Sequence, residues 1–303
     1  MHIAMVSKRV DTLKVHVMDE LYLVKGPKTI AEMTWIEVAE EIKQGAKTAI
    51  LIVGANEQHG PHGPMFIDTI VPLEQARLAV MKLRKEGIRV LIAPPIPWAM
   101  SHHHLPFPGS MALRSTTLTN LIIDLCQSLI DSGIERIALV IGHGGAEQYG
   151  CVANARLEVI ERFGIPVGIY NSPLTSEEKR KILKGPSPWS TAHGGEEETA
   201  QIMAIAPRLV DRSNLSKNVP KEAEAIYSVS STLRYPVRQG GIRLRSGRYA
   251  VAPGPRDFTA GKGFAGDVTM ATEETGRKLL EMHSDHMAAW LKVMIKESEK
   301  KYV

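Results

Sequence analysis

The residues best suited to chemistry are crowded between Asn56 and Thr69. Glu57, His59, His62 and Asp68 follow one another there, interleaved with Gly60, Pro61, Gly63 and Pro64. Carboxylate and imidazole together are the ligand pair for zinc, manganese or iron, and a carboxylate such as Asp68 can bridge two ions. A merely solvated surface loop is the alternative. The gathering of four ligand-type residues with no lysine favours metal. Glycine and proline at this density exclude a helix and predict a shaped loop across the whole stretch.

The elements around this loop set where it sits. The apolar run Ala49 to Val53 just before it reads as a buried strand. Thr34 is an N-cap candidate before an amphipathic helix ending near Ile42. Pro72 to Glu86 reads as a helix with Leu73, Ala76, Val80 and Leu83 on one face, stopped by Gly87. Further strands are predicted over Arg89 to Ala93, Arg136 to Ile141 and Pro166 to Tyr170. Helices are predicted over Thr116 to Ser132, Glu147 to Phe163 and Thr272 to Lys296. Strand and helix alternating in this way predict right-handed crossovers and a three-layer α/β/α sandwich with a mainly parallel central sheet. Ligands of such sheets bind beyond the carboxyl ends of the strands. The first strand is followed by the Glu57–Asp68 stretch, the second by Ser101, His102, His103 and His104, and the third by Gly142-His143-Gly144-Gly145. Three strands thus deliver ligand-type residues to one sheet edge. Of the three consecutive histidines, one is expected to line the pocket and the others to be structural or exposed.

Composition narrows the function. The chain has 303 residues, 44% of them hydrophobic, enough for a large core. No apolar run approaches the roughly 20 residues of a membrane helix, and charges run through Met1 to Lys25 as they do not in a secretory signal. Cys126 and Cys151 are the only cysteines and have no pairing motif, so free thiols and a cytoplasmic location are expected. A net charge of +4 without aromatic–basic interleaving gives no case for nucleic acid. No Gly-x-Gly-x-x-Gly turn follows a strand, which ranks a nucleotide-binding enzyme last.

Glu57-Gln58-His59-Gly60-Pro61-His62 followed by Asp68-Thr69 resembles the signature of the creatininase family of amidohydrolases. Ser101 and His104, ahead of Phe107-Pro108-Gly109, are similar to a second block of that family. Gly142-His143-Gly144-Gly145 is similar to a third, and His193 with Glu198-Thr199 to a fourth. The likeness runs from about Ala31 to Trp290. Residues 1–30 are then an N-terminal extension to a domain over 31–303, with a Pro/Gly-rich insertion near 207–262. The resemblance implies a hydrolase acting on a non-peptide C–N bond, in a cyclic amide, formamide or related carboxamide, with water activated by two divalent metal ions per subunit. Zinc comes first among them, with manganese or iron as alternatives. Family members also open formamides in pyrimidine-derived precursors and trim a peptide-derived redox cofactor.

In the roles the resemblance implies, Glu57, Asp68 and His143 hold one ion and His59, Asp68 and Glu198 the other. His193 passes a proton to the leaving nitrogen, Glu198 acts beside it, and Ser101, His104 and Trp189 line the substrate pocket. Glu196 is the alternative to Glu198 as ligand, and two of the three glutamates of the run Glu196 to Glu198 are expected only to stabilise a helix start. Creatinine-hydrolysing members carry a glutamate where Gly145 stands and an aspartate where Ser190 stands, and His103 occupies a position where an acid is common. A cyclic amide or formamide other than creatinine is therefore the expected substrate. A closed homohexamer is also implied. A binding protein on the same scaffold, with its chemistry lost, is the rival that the intact Glu57, His59, Asp68, His143 and His193 set argues against.

Overall fold

The computed structural model describes residues 26–172, 174–186, 189–219, 241–247, 249–251, 259 and 261–300. At its centre lie four parallel strands, β1 (Thr48–Val53), β2 (Val90–Ile92), β3 (Arg136–Ile141) and β4 (Val167–Tyr170), in the order β2-β1-β3-β4. Side chains alternate across the sheet. Ala49, Leu51 and Val53 of β1 face a core shared with α1 (Trp35–Lys43), α3 (Ser115–Asp131) and α4 (Ala146–Phe163). Ile50 and Ile52 face the opposite core, built with α2 (Ile67–Lys85) and the long C-terminal helix α7 (Glu273–Ser298). With both faces covered, β1 is buried at every position, as central parallel strands are.

Between β4 and α7 come α5 (Ser176–Arg180), a 3-10 turn at Trp189–Thr191 and α6 (Glu196–Ile205), which packs with α2 and α7 around a third core containing Ile67, Met203 and Leu279. Two short antiparallel pairs complete the described chain: β5 (Lys217–Asn218) with β8 (Gly266–Asp267), and β6 (Gly241–Arg243) with β7 (Tyr249–Val251). Residues 1–25 of the expected extension, and most of the expected insertion near 207–262, lie outside the described residues. Among the described residues no helix is long and apolar enough to cross a membrane. Cys126 and Cys151 are buried free thiols.

The peripheral helices start as their sequences predict. The Thr34 hydroxyl accepts from Glu37 N–H at 3.2 Å while the Glu37 carboxylate accepts from Thr34 N–H at 2.6 Å, a reciprocal box that caps α1. Thr272 caps α7.

One boundary differs from the sequence reading. Helix α2 begins at Ile67, which puts Asp68 in its first turn, and Pro72 lies inside it. Proline has no N–H to bond the carbonyl four residues back, so the Asp68 carbonyl is free of that bond. It stands against the ends of β1 and β3: a Cβ on Gly54 would come within 2.9 Å of it, and one on Gly142 would overlap it. Two strand-end glycines thus let the first turn of α2 settle onto the sheet edge.

Candidate metal centre

β1 and β3 are in register from Thr48↔Arg136 to Val53↔Ile141, so they end level. The segments that follow them meet at that edge, and the first turn of α2 supplies Asp68 between them. Asp68 touches a ring on each side: Oδ1 lies 3.0 Å from His59 Nε2 and Oδ2 lies 3.2 Å from His143 Nδ1. Glu57 Oε1 is 3.0 Å from His143 Nδ1, 3.2 Å from His104 Nε2 and 3.8 Å from His193 Nδ1. Glu198, in the first turn of α6, brings Oε2 to 3.7 Å from His59 Nε2. Three groups have ligand atoms close enough to share an ion: Glu57 with Asp68 and His143, His59 with His193 and Glu198, and Glu57 with His104 and His193.

The donor pattern shows what this cluster requires. His59 Nδ1–H donates to the Glu57 carbonyl at 3.0 Å. Its Nε2 therefore turns a lone pair toward the carboxylates of Asp68 and Glu198. His193 Nε2–H donates to the Gln58 carbonyl at 2.6 Å, which turns its Nδ1 lone pair toward Glu57. Glu57 is fully buried, and its Oε1 meets the ring nitrogens of His143 and His104 and no backbone donor among the described residues. Acceptors facing acceptors in a dry site cost free energy unless a proton or a metal cation lies between them. A ring nitrogen anchored on a carbonyl is also the usual outer support of a metal-ligating histidine. The residues present fit divalent metal.

Electrostatics agree. Burial opposes charge on His59, yet the Asp68 carboxylate and its hydrogen bond, with Glu198 and Glu57, push the ring up to about 10. His143 is likewise pushed up to about 10, against burial, by Glu57 and Asp68. Burial works against ionised Asp68, but the His59 and His143 rings hold it well below the ordinary carboxylate range. Burial pushes Glu198 up to about 7, although its side chain keeps 30% exposure at the pocket mouth. Burial and the neighbouring rings keep His104 neutral, and burial and His59 do the same for His193. Burial also lowers His62, to about 4.

The structure separates the glutamates of α6. Glu196 turns away and accepts from the backbone N–H groups of Lys184 and Gly185. Glu197 pairs with Lys179 and His283. Glu198 alone enters the cluster, where Gly194 N–H steadies it at 2.7 Å. His62, counted with the ligand types in sequence, instead approaches Thr199 Oγ1 at 3.0 Å and Gly194 O at 3.2 Å, and stands in none of the three groups.

The triple histidine forms a 3-10 turn rather than an extended loop. His104 reaches Glu57, and His103 also joins the wall by stacking on His143 at 5.5 Å, so two of the three rings face inward rather than one. Ser101 is fully buried, with its hydroxyl unpartnered among the described residues. The Trp189 backbone opens a 3-10 turn, and its side chain lies outside the described residues.

Sequence reasoning gave no role to Gln58. Its amide donates to Gly263 O at 2.8 Å and contacts His104 Nδ1 at 3.1 Å, while its Oε1 accepts from Gly60 N–H at 2.9 Å. These bonds fix the amide orientation. They make His104 Nδ1 an acceptor and turn its Nε2–H toward Glu57. The available signal was a glutamine set between two ligand-type residues.

A layered α/β fold with a buried imidazole–carboxylate cluster at the carboxyl edge of its parallel sheet is a scaffold with residues that could hold divalent metal. The family model described as Creatininase: Creatinine amidohydrolase matches residues 31–291, and the chain belongs to that family. It is 28% identical over 204 residues to a creatinine amidohydrolase of Pseudomonas putida, covering 63% of this chain and 76% of that one. It is also 28% identical over 254 residues to a mycofactocin precursor peptide peptidase of Mycobacterium ulcerans, covering 80% and 85%. A solved creatininase variant of zinc–zinc type superposes with a TM-score of 0.69 at 22% identity, covering 90% of this chain and all of that one.

Proposed function

We propose that this protein is a metal-dependent amidohydrolase that cleaves a non-peptide C–N bond in a cyclic amide, formamide or related carboxamide. The observation that carries the reading is the buried set of acceptors turned on one another around Glu57, His59 and Asp68. The residues that would hold divalent metal are Glu57, Asp68 and His143 for one ion and His59, Asp68 and Glu198 for a second. Zinc is the first candidate, supported by the zinc–zinc relative. When bound, such ions polarise a carbonyl and lower the pKa of water.

The chain's own residues do the rest. His193 keeps 19% side-chain exposure, against 0% for His59 and 4% for His143, so it is the ring that substrate meets. Neutral, and anchored through Nε2–H, it presents Nδ1 to take a proton from attacking water and return it to the leaving nitrogen. Glu198, held near 7, can exchange a proton in the same range. Gln58 holds His104 and His193 in the tautomers this requires.

Two features support a substrate other than creatinine. No carboxylate stands at Gly145 or Ser190, and a buried substrate donor left without its acceptor costs about 1–3 kcal/mol, roughly 5- to 150-fold in affinity. A closed hexamer and a cytoplasmic location are further proposals, resting on family likeness and the free thiols. The test is elemental analysis of protein purified without chelator, with turnover of creatinine, hydantoins, lactams and formamidopyrimidines. The expected result is close to two equivalents of metal, with a lactam, hydantoin or formamide turning over fastest. Under half an equivalent, with activity indifferent to chelator, would overturn the reading.

A further inference from the structure

The ring of His143 has a second nitrogen that the proposed chemistry does not use. His143 Nδ1 faces Glu57 and Asp68, and the inference rests on the reading that it is a ligand through that atom. A neutral imidazole ligating through Nδ1 carries its proton on Nε2. Ligating rings nearly always donate that second N–H to a carboxylate, carbonyl or water. His143 is 3% exposed, and its Nε2 has no partner among the described residues.

That nitrogen points at Gly145. A Cβ there would collide with Nε2 and come within 3.2 Å of His103 Cε1, so glycine is what leaves the nitrogen open. Gly145 is also the N-cap of α4, an 18-residue helix whose start no side chain caps. The first amide groups of a helix have no partner within it and carry the positive end of its dipole. Gly144 is exposed, with nothing among the described residues within 4 Å of where its Cβ would stand, so the chain just ahead of the helix start is open to solvent. The acid of the first turn, Glu147, bears on Cys151 one turn further along. A donor without an acceptor, an open helix start and an approach from solvent therefore coincide.

We propose that His143 Nε2 and the Gly144-Gly145 start of α4 form a subsite for a carboxylate, so that the preferred substrates are amides bearing a free carboxylate close to the scissile C–N bond.

The test compares 2-pyrrolidinone with its 5-carboxylate, two lactams that differ in this group alone. Binding to metal-loaded protein is measured by calorimetry, and the histidine N–H signals are followed by nitrogen-15 NMR. The carboxylate is expected to bind at least about tenfold more tightly and to move the His143 Nε2–H resonance, while 2-pyrrolidinone leaves that resonance in place. Gly144→Asp, which sets a competing carboxylate at the open helix start, should erase the preference with metal content unchanged.

Equal binding of the two lactams overturns the proposal. So does a preference that survives Gly144→Asp with the His143 signal unmoved, because the carboxylate is then held by the metal. Metal-loaded protein that hydrolyses amides without regard to a carboxylate sinks the subsite alone. Protein that binds no metal sinks the amidohydrolase reading and the subsite with it.

Discussion

Two histidine–carboxylate clusters flank the first turn of α6, and they differ in how far donors meet acceptors. On the side of α7, His283 Nε2 lies 3.2 Å from Glu197, its Nδ1 lies 2.8 Å from the Ser172 hydroxyl, and Lys179 pairs with Glu197 at 3.0 Å. Each donor there meets an acceptor. On the other side, around Glu57 and Asp68, His59 and His193 each have one ring nitrogen committed to a backbone carbonyl, so the nitrogen each turns to a carboxylate needs an added proton or a cation in between. Both pair a buried histidine with a buried glutamate or aspartate, but only the α7 side adds a lysine. The match of donors to acceptors makes one cluster internal glue and leaves the other in need of a cation. Buried polar networks stabilise when complete and are costly when incomplete.

The comparison breaks most sharply at Asp68. Asp68→Ala should reduce bound metal below a tenth of wild type and activity by more than about a hundredfold, beyond what loss of an outer supporting partner costs. Retention of one equivalent by elemental analysis would show that Asp68 serves a single ion. Gln58→Met tests the tautomer lock. Metal content should hold while activity falls about tenfold to a hundredfold, and the nitrogen-15 signals of His104 should report mixed tautomers, while those of His193, held by the Gln58 backbone carbonyl, should not. Unmixed His104 signals would remove the Gln58 side chain from the mechanism.

The third contrast concerns pH in metal-free protein. His59 and His143 rise from 6.5 to about 10 on folding. A raised histidine contributes stability that is complete below its unfolded pKa and is lost as pH climbs through the folded value. The rings lowered by burial, such as His62 and His103, have finished contributing by pH 6.5. Thermal melts of chelator-treated protein should therefore fall between about pH 6.5 and 10, and metal-loaded protein should resist the fall. Parallel curves for the two forms would contradict this. The smallest effect is expected in the satisfied cluster: His283→Ala should cost about 1–3 kcal/mol in denaturant unfolding and leave bound metal unchanged.

Much of this was legible in the sequence, for a physical reason. The four strands are continuous apolar runs because both sheet faces are covered, and Gly164 closes α4 in a left-handed conformation, as a helix-ending glycine should. Glu57, His59, Asp68 and His143 could be gathered because strand ends of a parallel sheet share an edge. The start of α2 was not legible. Pro72 argues locally for a boundary, and only the packing of the Asp68 carbonyl over Gly54 and Gly142 explains a proline in the helix. The inward turn of His103 was missed because a 3-10 turn places neighbouring rings where an extended loop would part them. The residues alone left Glu196 and Glu198 as rival ligands, and the resemblance chose Glu198; the directions of Glu196 and Glu197 depend on partners elsewhere in the chain, Lys184, Lys179 and His283.

The level ends of β1 and β3 have a consequence for how the molecule is made. The proposed ligands run from Glu57 to Glu198, and none of the three close groups can form from one hairpin or one crossover. Loop closure over such distances comes late on a folding route. An ion held by the proposed ligands would therefore have no site to nucleate and would bind a sheet that is already assembled. Refolding should proceed at the same rate with or without metal, and bound metal should act on the reverse step by slowing unfolding. The centre then works as a latch on a finished fold.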